Sequence, residues 1–94
     1  MTFTVKGELV FTTVSEWRRK GCLFISQTLA PEFDFAEVEL SDSSGVALLL
    51  AWLREANAVG KAINFLNLPQ QLLDVAKVCG VLSLIQSNES HNNG

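Results

Sequence analysis

The chain has 94 residues, ten acidic against seven basic side chains for a net charge of −3, and 48% hydrophobic residues. That length fits one domain, which buries roughly 64% of its unfolded surface: enough for a single modest core, too little for a cleft between lobes. A large multi-domain enzyme is excluded, and the acidic balance argues against sequence-independent nucleic-acid binding, because only Arg18, Arg19 and Lys20 cluster and no basic stripe is left to displace counterions from phosphates.

At the start of the chain, Phe3 and Val5 alternate with Thr4 and Lys6, the period of a strand with one wet face. A first strand is expected over Phe3 to Val5, with Leu9 to Phe11 as an extension beyond Gly7. Thr13-Val14-Ser15-Glu16 has capping-box spacing, so a helix is expected to begin there. Val14, Trp17, Gly21, Phe24 and Thr28 form its apolar stripe, although Gly21 costs about 1 kcal/mol inside a helix. Phe33, Phe35 and Val38 follow Pro31 and read as a second, more central strand. Ser41-Asp42-Ser43-Ser44-Gly45 is a cluster of short oxygen-bearing residues, and Val46 to Ala58 is an apolar run of strong helix formers ending near Gly60. Ala62 to Leu66 reads as a third strand, and Pro69 opens a third helix whose buried stripe is Leu72, Val75, Ala76 and Cys79. Gly80 terminates it, leaving Val81 to Ile85 as a short final strand.

The domain therefore spans 1–85. The remainder, 86–94, is apolar-poor and rich in Asn and Ser, and is expected as a disordered tail. His91, the only histidine, lies in that tail, so no nucleophile can be paired with it. No catalytic set, metal site or cofactor loop can be assembled. Cys22 and Cys79 lack a CxxC or histidine-spaced companion and read as buried reduced thiols. The longest apolar run, Val46 to Leu53, is too short to cross a membrane, and the first residues do not form a secretory signal. A cytoplasmic protein without direct membrane insertion is expected.

Alternating strands and helices of these lengths call for a small, mostly parallel α/β sheet with its polar turns at the carboxyl ends of the strands. Function is expected on that edge. Ser43 and Ser44 sit where unpaired helix amides favour a negative group, so either is a candidate phosphate acceptor; a serine there is also an ordinary N-cap. Asp42 would repel an added phosphate. Glu32, Asp34, Glu37, Glu39 and Asp42 crowd five carboxylates into eleven residues, which strand alternation disperses into a solvated face. On the second helix, Leu48, Ala51 and Trp52 widen the apolar arc beyond what Val46, Leu49, Leu50 and Leu53 need, so an outward docking arc around Leu48 and Trp52 is expected, the alternative being a helix buried on all sides. Trp17 is a second anchor candidate, and the basic run after it either steers toward an acidic partner or is a plain solvated helix face.

Gly7-Glu8-Leu9 before a helix, Phe33-Asp34, Asp42-Ser43-Ser44-Gly45-Val46 leading into a leucine-rich helix, then Gly60, Pro69 and Cys79-Gly80-Val81 together resemble a STAS domain. The resemblance covers about Phe3 to Ile85. It is strongest to the small subunits of bacterial phospholipid-transport ABC complexes, through ALLLAWLREANAVGKAINFLNLPQQLLDVAKVCGV, and next to the anti-sigma factor antagonists. It implies a sheet of about four strands, mixed in direction, against three helices, and a domain that binds another protein without catalysis. In the transporter group that protein is the ABC ATPase, which would hold the domain at the inner membrane from the cytoplasmic side. There the position of Ser43 lies at the ATPase-facing surface. In the antagonist group the position of Ser44 accepts phosphate from a serine kinase, which releases the anti-sigma factor. The apolar arc and the resemblance together point to a partner surface of Trp17, Asp42, Ser43, Ser44, Gly45, Leu48 and Trp52. Two departures stand out: the segment before the first helix is short for a leading hairpin, and Val10 replaces the acidic residue usual after Gly-Glu-Leu.

Overall fold

A computed structural model describes residues 1–87. The elements run β1 (Thr2–Leu9), α1 (Val14–Gln27), β2 (Glu32–Ser41), α2 (Ser43–Ala58), β3 (Asn64–Leu66), α3 (Gln70–Val78) and α4 (Leu82–Gln86). The strands lie in the order β1-β2-β3, all parallel, so β2 is the central strand, as the aromatic pattern predicts.

Alternation along β1 turns Val5 and Leu9 fully inward and leaves Thr2, Thr4, Lys6 and Glu8 exposed. Within β2 the pairing steps from Thr4↔Asp34 to Lys6↔Glu37 and from Gly7↔Val38 to Glu8↔Leu40, so β2 carries an extra residue at each bulge. The first of these shifts the period enough to keep Phe33, Phe35 and Val38 on one face. Phe33 stacks on Trp52 at 4.3 Å between ring centroids, and Phe3, Phe24, Phe35 and Phe65 close around that pair. Burying these rings is the main source of stability for so small a domain.

The α/β class is that of the sequence reading, with two corrections to the element count. Among the described residues the sheet has three strands, none antiparallel, and the helices number four. Val81 to Ile85 is helical instead of extended. Gly80, at φ 77°, reverses the chain after α3, with its N–H on Lys77 O and the Val81 N–H on Ala76 O. Helical spacing then puts Val81, Leu82 and Ile85 against the core, whereas a strand would put Leu84 on the same face as Leu82, and Leu84 is exposed. Gly60 ends α2 by the same arrangement, at φ 70°, with Gly60 N–H on Asn57 O and Lys61 N–H on Ala56 O.

The capping box at α1 does not form. The Thr13 hydroxyl donates to Glu8 O at 2.7 Å and accepts from Val10 N–H at 3.0 Å, which fixes the β1–α1 turn and leaves it none of the helix amides. Glu16 turns outward to Arg19 and Lys20 instead. Of the expected tail, Gln86 closes α4 and Ser87 follows it; positions 88–94, His91 among them, lie outside the described residues.

Candidate functional site

Two loops meet at the carboxyl end of the sheet. Asp42 leaves β2 in an extended conformation and caps α2, its Oδ1 accepting the Ser44 N–H at 2.7 Å. The other carboxylate oxygen accepts the Phe11 N–H at 3.4 Å, and the Asp42 N–H donates to Leu9 O at 3.2 Å. One side chain thereby ties the β1–α1 turn to the first turn of α2. The sequence leaves a serine as the ordinary cap, but the aspartate takes that place. Ser43 and Ser44 are the first two helical residues, and their hydroxyls make no hydrogen bond among the described residues.

Gly45 is needed here for space. A Cβ at that position would sit 3.3 Å from Leu9 O and 3.0 Å from Leu72 Cδ1, tighter than ordinary packing, so glycine lets α2 press close against the end of β1. The close approach buries Gly45, leaves Asp42 and Ser44 half-buried, and presents Ser43 to solvent.

Below this corner, α1 and α2 leave a groove of about 190 Å³. Ser44, Ala47 and Ala51 form one wall, and Val14, Ser15 and Arg18 the other. The small side chains at 44, 47 and 51, at helical spacing, are what keep it open. Ala47 is exposed, and Arg18 supplies the charge. A second hollow, about 570 Å³, lies at the far end of α2 among Leu50, Leu53, Arg54, Asn57 and Ile63. It shares no residue with the Asp42–Gly45 corner.

The expected outward arc of α2 is overturned. Leu48 is 3% exposed and Trp52 0%. An apolar arc wider than one face is needed because α2 is covered by the sheet, by α1 and by α3. Trp52 lies under α1 at Gly21 and donates from Nε1 to Arg18 O at 3.3 Å, which satisfies its polar atom. Leu48 and Trp52 are core residues, and the surface of α2 beside the turn belongs to Ser43, Ala47 and Ala51. Trp17 is half-buried, edge-on to Phe3 at 6.0 Å with Lys20 Nζ 5.4 Å from its ring, so it contributes a rim and not a free anchor.

Phe11 is the residue that sequence reading passed over, as an extension of the first strand. It stands in the turn instead, 80% exposed, beside Asp42. A large aromatic in a short connection between strand end and helix start was the available signal.

The thiols also need correcting: Cys22 is half-buried and Cys79 exposed. Cys79 caps α3 at its last turn, where the chain leaves the helical stripe that buries Leu72 and Ala76. Burial, and then the Glu55 carboxylate, push the Cys22 thiol above its ordinary pKa, with Arg18 opposing. The carboxylates of β2 are spread out: Glu32 accepts from Thr2, and Asp34 accepts from Ala36 N–H and the Asn67 amide. Among the described residues no three His, Cys, Asp or Glu side chains are grouped to hold a metal ion. No helix of the described residues is long and apolar enough to cross a membrane.

The chain is 29% identical to the intermembrane phospholipid transport system binding protein MlaB of Haemophilus influenzae, over 86% of this chain and 81% of that protein. The unphosphorylated form of the anti-sigma factor antagonist SpoIIAA superposes with a TM-score of 0.73 at 26% identity, covering 98% of this chain and 78% of that one. The phosphorylated form of the Bacillus cell fate determinant SpoIIAA does so at 0.71 and 26%, over 98% and 81%. A sulfate transporter family protein from Wolinella succinogenes, at 12% identity and a TM-score of 0.72 over 94% and 73%, shares the fold alone. The profile of the Mlab, STAS domain family matches residues 2–86, and the chain belongs to that family.

Proposed function

We propose that the chain is a non-catalytic STAS adaptor that binds and supports the ATPase subunit of a bacterial phospholipid-transport ABC complex, and so serves the lipid asymmetry of the outer membrane. It works in the cytoplasm, held at the inner membrane through that complex. The observation that carries this reading is the open corner at Asp42–Gly45 above the α1–α2 groove, in a chain related to a phospholipid transport system binding protein. The docking surface comprises Asp42, Ser43 and Ser44, with Gly45 shaping the corner from beneath, the Ala47 wall and the rim at Trp17. Leu48 and Trp52 hold the surface in place from inside.

Co-expression with the cognate ATPase subunit tests it. The parent chain is expected to co-purify with the ATPase, while Ser43→Glu and Ala47→Arg, both on exposed positions, abolish capture and leave the thermal midpoint unchanged. Capture that survives both substitutions refutes this surface.

A second reading has its own support. The likeness to SpoIIAA in both phosphorylation states favours an anti-sigma factor antagonist whose Ser44, or Ser43, accepts phosphate from a serine kinase. A phosphate at Ser44 would bring a charge near −2 beside the Asp42 carboxylate, which caps the same amide, and so would load the corner with repulsion. Intact-mass measurement on protein from its native cell decides between the two: phosphate that appears and disappears with growth conditions supports the antagonist, and its absence throughout supports the adaptor.

A further inference from the structure

We propose that Phe11 is the apolar anchor of this docking corner, that Asp42 is the residue positioning it, and that it enters an aliphatic socket on a partner protein whose acidic side chains face Arg18. The proposal rests on the adaptor reading above and names the contact that reading needs. Leu29 and Val78 are as exposed as Phe11, so exposure by itself says little. Phe11 differs in how it is held. Its N–H donates to Asp42 Oδ2, the residue before it donates from its N–H to the Thr13 hydroxyl, and that hydroxyl is itself fixed to Glu8 O. A residue whose backbone is already tied down costs a complex less conformational entropy when it docks than one on a loose segment.

The partner's chemistry follows from the charges nearby. The chain is acidic overall, yet its one cationic cluster, Arg18-Arg19-Lys20, lies on α1, and Arg18 lines the groove that opens beside Ser44. Arg19 and Lys20 are paired with Glu16, and Arg18 has no carboxylate within ion-pair distance among the described residues. A surface bringing acidic side chains to Arg18 and an apolar hollow to Phe11 matches this face, and a basic surface does not.

The test measures affinity for the purified ATPase subunit by titration calorimetry, using the parent chain, Phe11→Ala, Phe11→Leu, Asp42→Asn, Arg18→Gln and the control Leu29→Ala. Phe11→Ala is expected to bind at least tenfold more weakly with an unchanged thermal midpoint, Phe11→Leu to recover to within threefold of the parent, and Leu29→Ala to stay within twofold. Asp42→Asn keeps an acceptor for Ser44 N–H but turns an amide donor toward Phe11. Its loss should therefore be smaller in the Phe11→Ala background than in the parent, because the part carried through Phe11 is already gone, whereas a merely structural role would cost the same in both. Arg18→Gln should flatten the salt dependence of binding. A parent chain that binds while Phe11→Ala stays within twofold of it overturns the anchor and leaves the adaptor reading standing. A parent chain that fails to bind defeats both.

Discussion

Replacing Gly21 by alanine is the sharpest test of how the core is assembled. In an exposed helix this change stabilises by about 1 kcal/mol, because glycine gives up more backbone freedom on folding. Here the added Cβ would overlap Trp52 Cε2, Nε1 and Cζ2, far inside the roughly 3.5 Å at which carbon atoms rest. The indole cannot retreat. It is fully buried, stacked on Phe33 at 4.3 Å, and bonded through Nε1 to Arg18 O. Relief requires α1 to lift off α2, at an overpacking cost of about 1–3 kcal/mol plus about 1 kcal/mol for the lost hydrogen bond. Setting the helix gain against these leaves a net loss of about 1–3 kcal/mol. For a domain of this size a loss of about 2 kcal/mol lowers the thermal midpoint by about 8–16 °C. Thermal and guanidinium unfolding of the two proteins, followed by far-ultraviolet circular dichroism, is the assay. A Gly21→Ala protein as stable as its parent, or more so, would show that α1 does not lie on Trp52.

Lys61 reaches from the end of α2 to donate to Ile25 O at 2.6 Å and Ser26 O at 3.2 Å, supplying the cation that the last turn of α1 lacks. Lys61→Met should therefore cost about 1–2 kcal/mol, read as a lower urea midpoint at unchanged slope. The Ser41 hydroxyl is buried and has no hydrogen-bond partner among the described residues, so Ser41→Ala is expected to be neutral or stabilising by up to about 1 kcal/mol; a loss larger than that would reveal a partner. With a maleimide near neutral pH the first adduct should form at exposed Cys79, and Cys22 should lag, since burial holds it as the neutral thiol; peptide mapping after partial labelling gives the order. Because the folded chain raises the Cys22 pKa above its ordinary 9.0, this thiol's share of stability is present below that pH and lost as pH climbs through the raised value. Cys22→Ala should flatten that alkaline slope.

Much of the fold was legible because its signals are local. The alternation at Phe3 and Val5, the aromatic stripe of β2, the Asp42–Gly45 turn and the glycines after α2 and α3 each specify their own backbone through sterics or side-chain period. Thr13 misled because a hydroxyl serves a turn as readily as a helix amide, and Val81 to Ile85 misled because five residues are too few to separate the two periods.

Sequence alone determined the α/β class, the central aromatic strand and the polar corner at the head of α2, since backbone preference and side-chain period act over a few neighbours. Tertiary structure alone decided which apolar residues are hidden. Trp52 is core because Gly21, far away along the chain, leaves room for its ring, and Phe11 is surface, in a turn whose backbone bonds to Asp42 at the start of α2. Burial is a property of what two distant segments leave between them, and no local pattern carries that information.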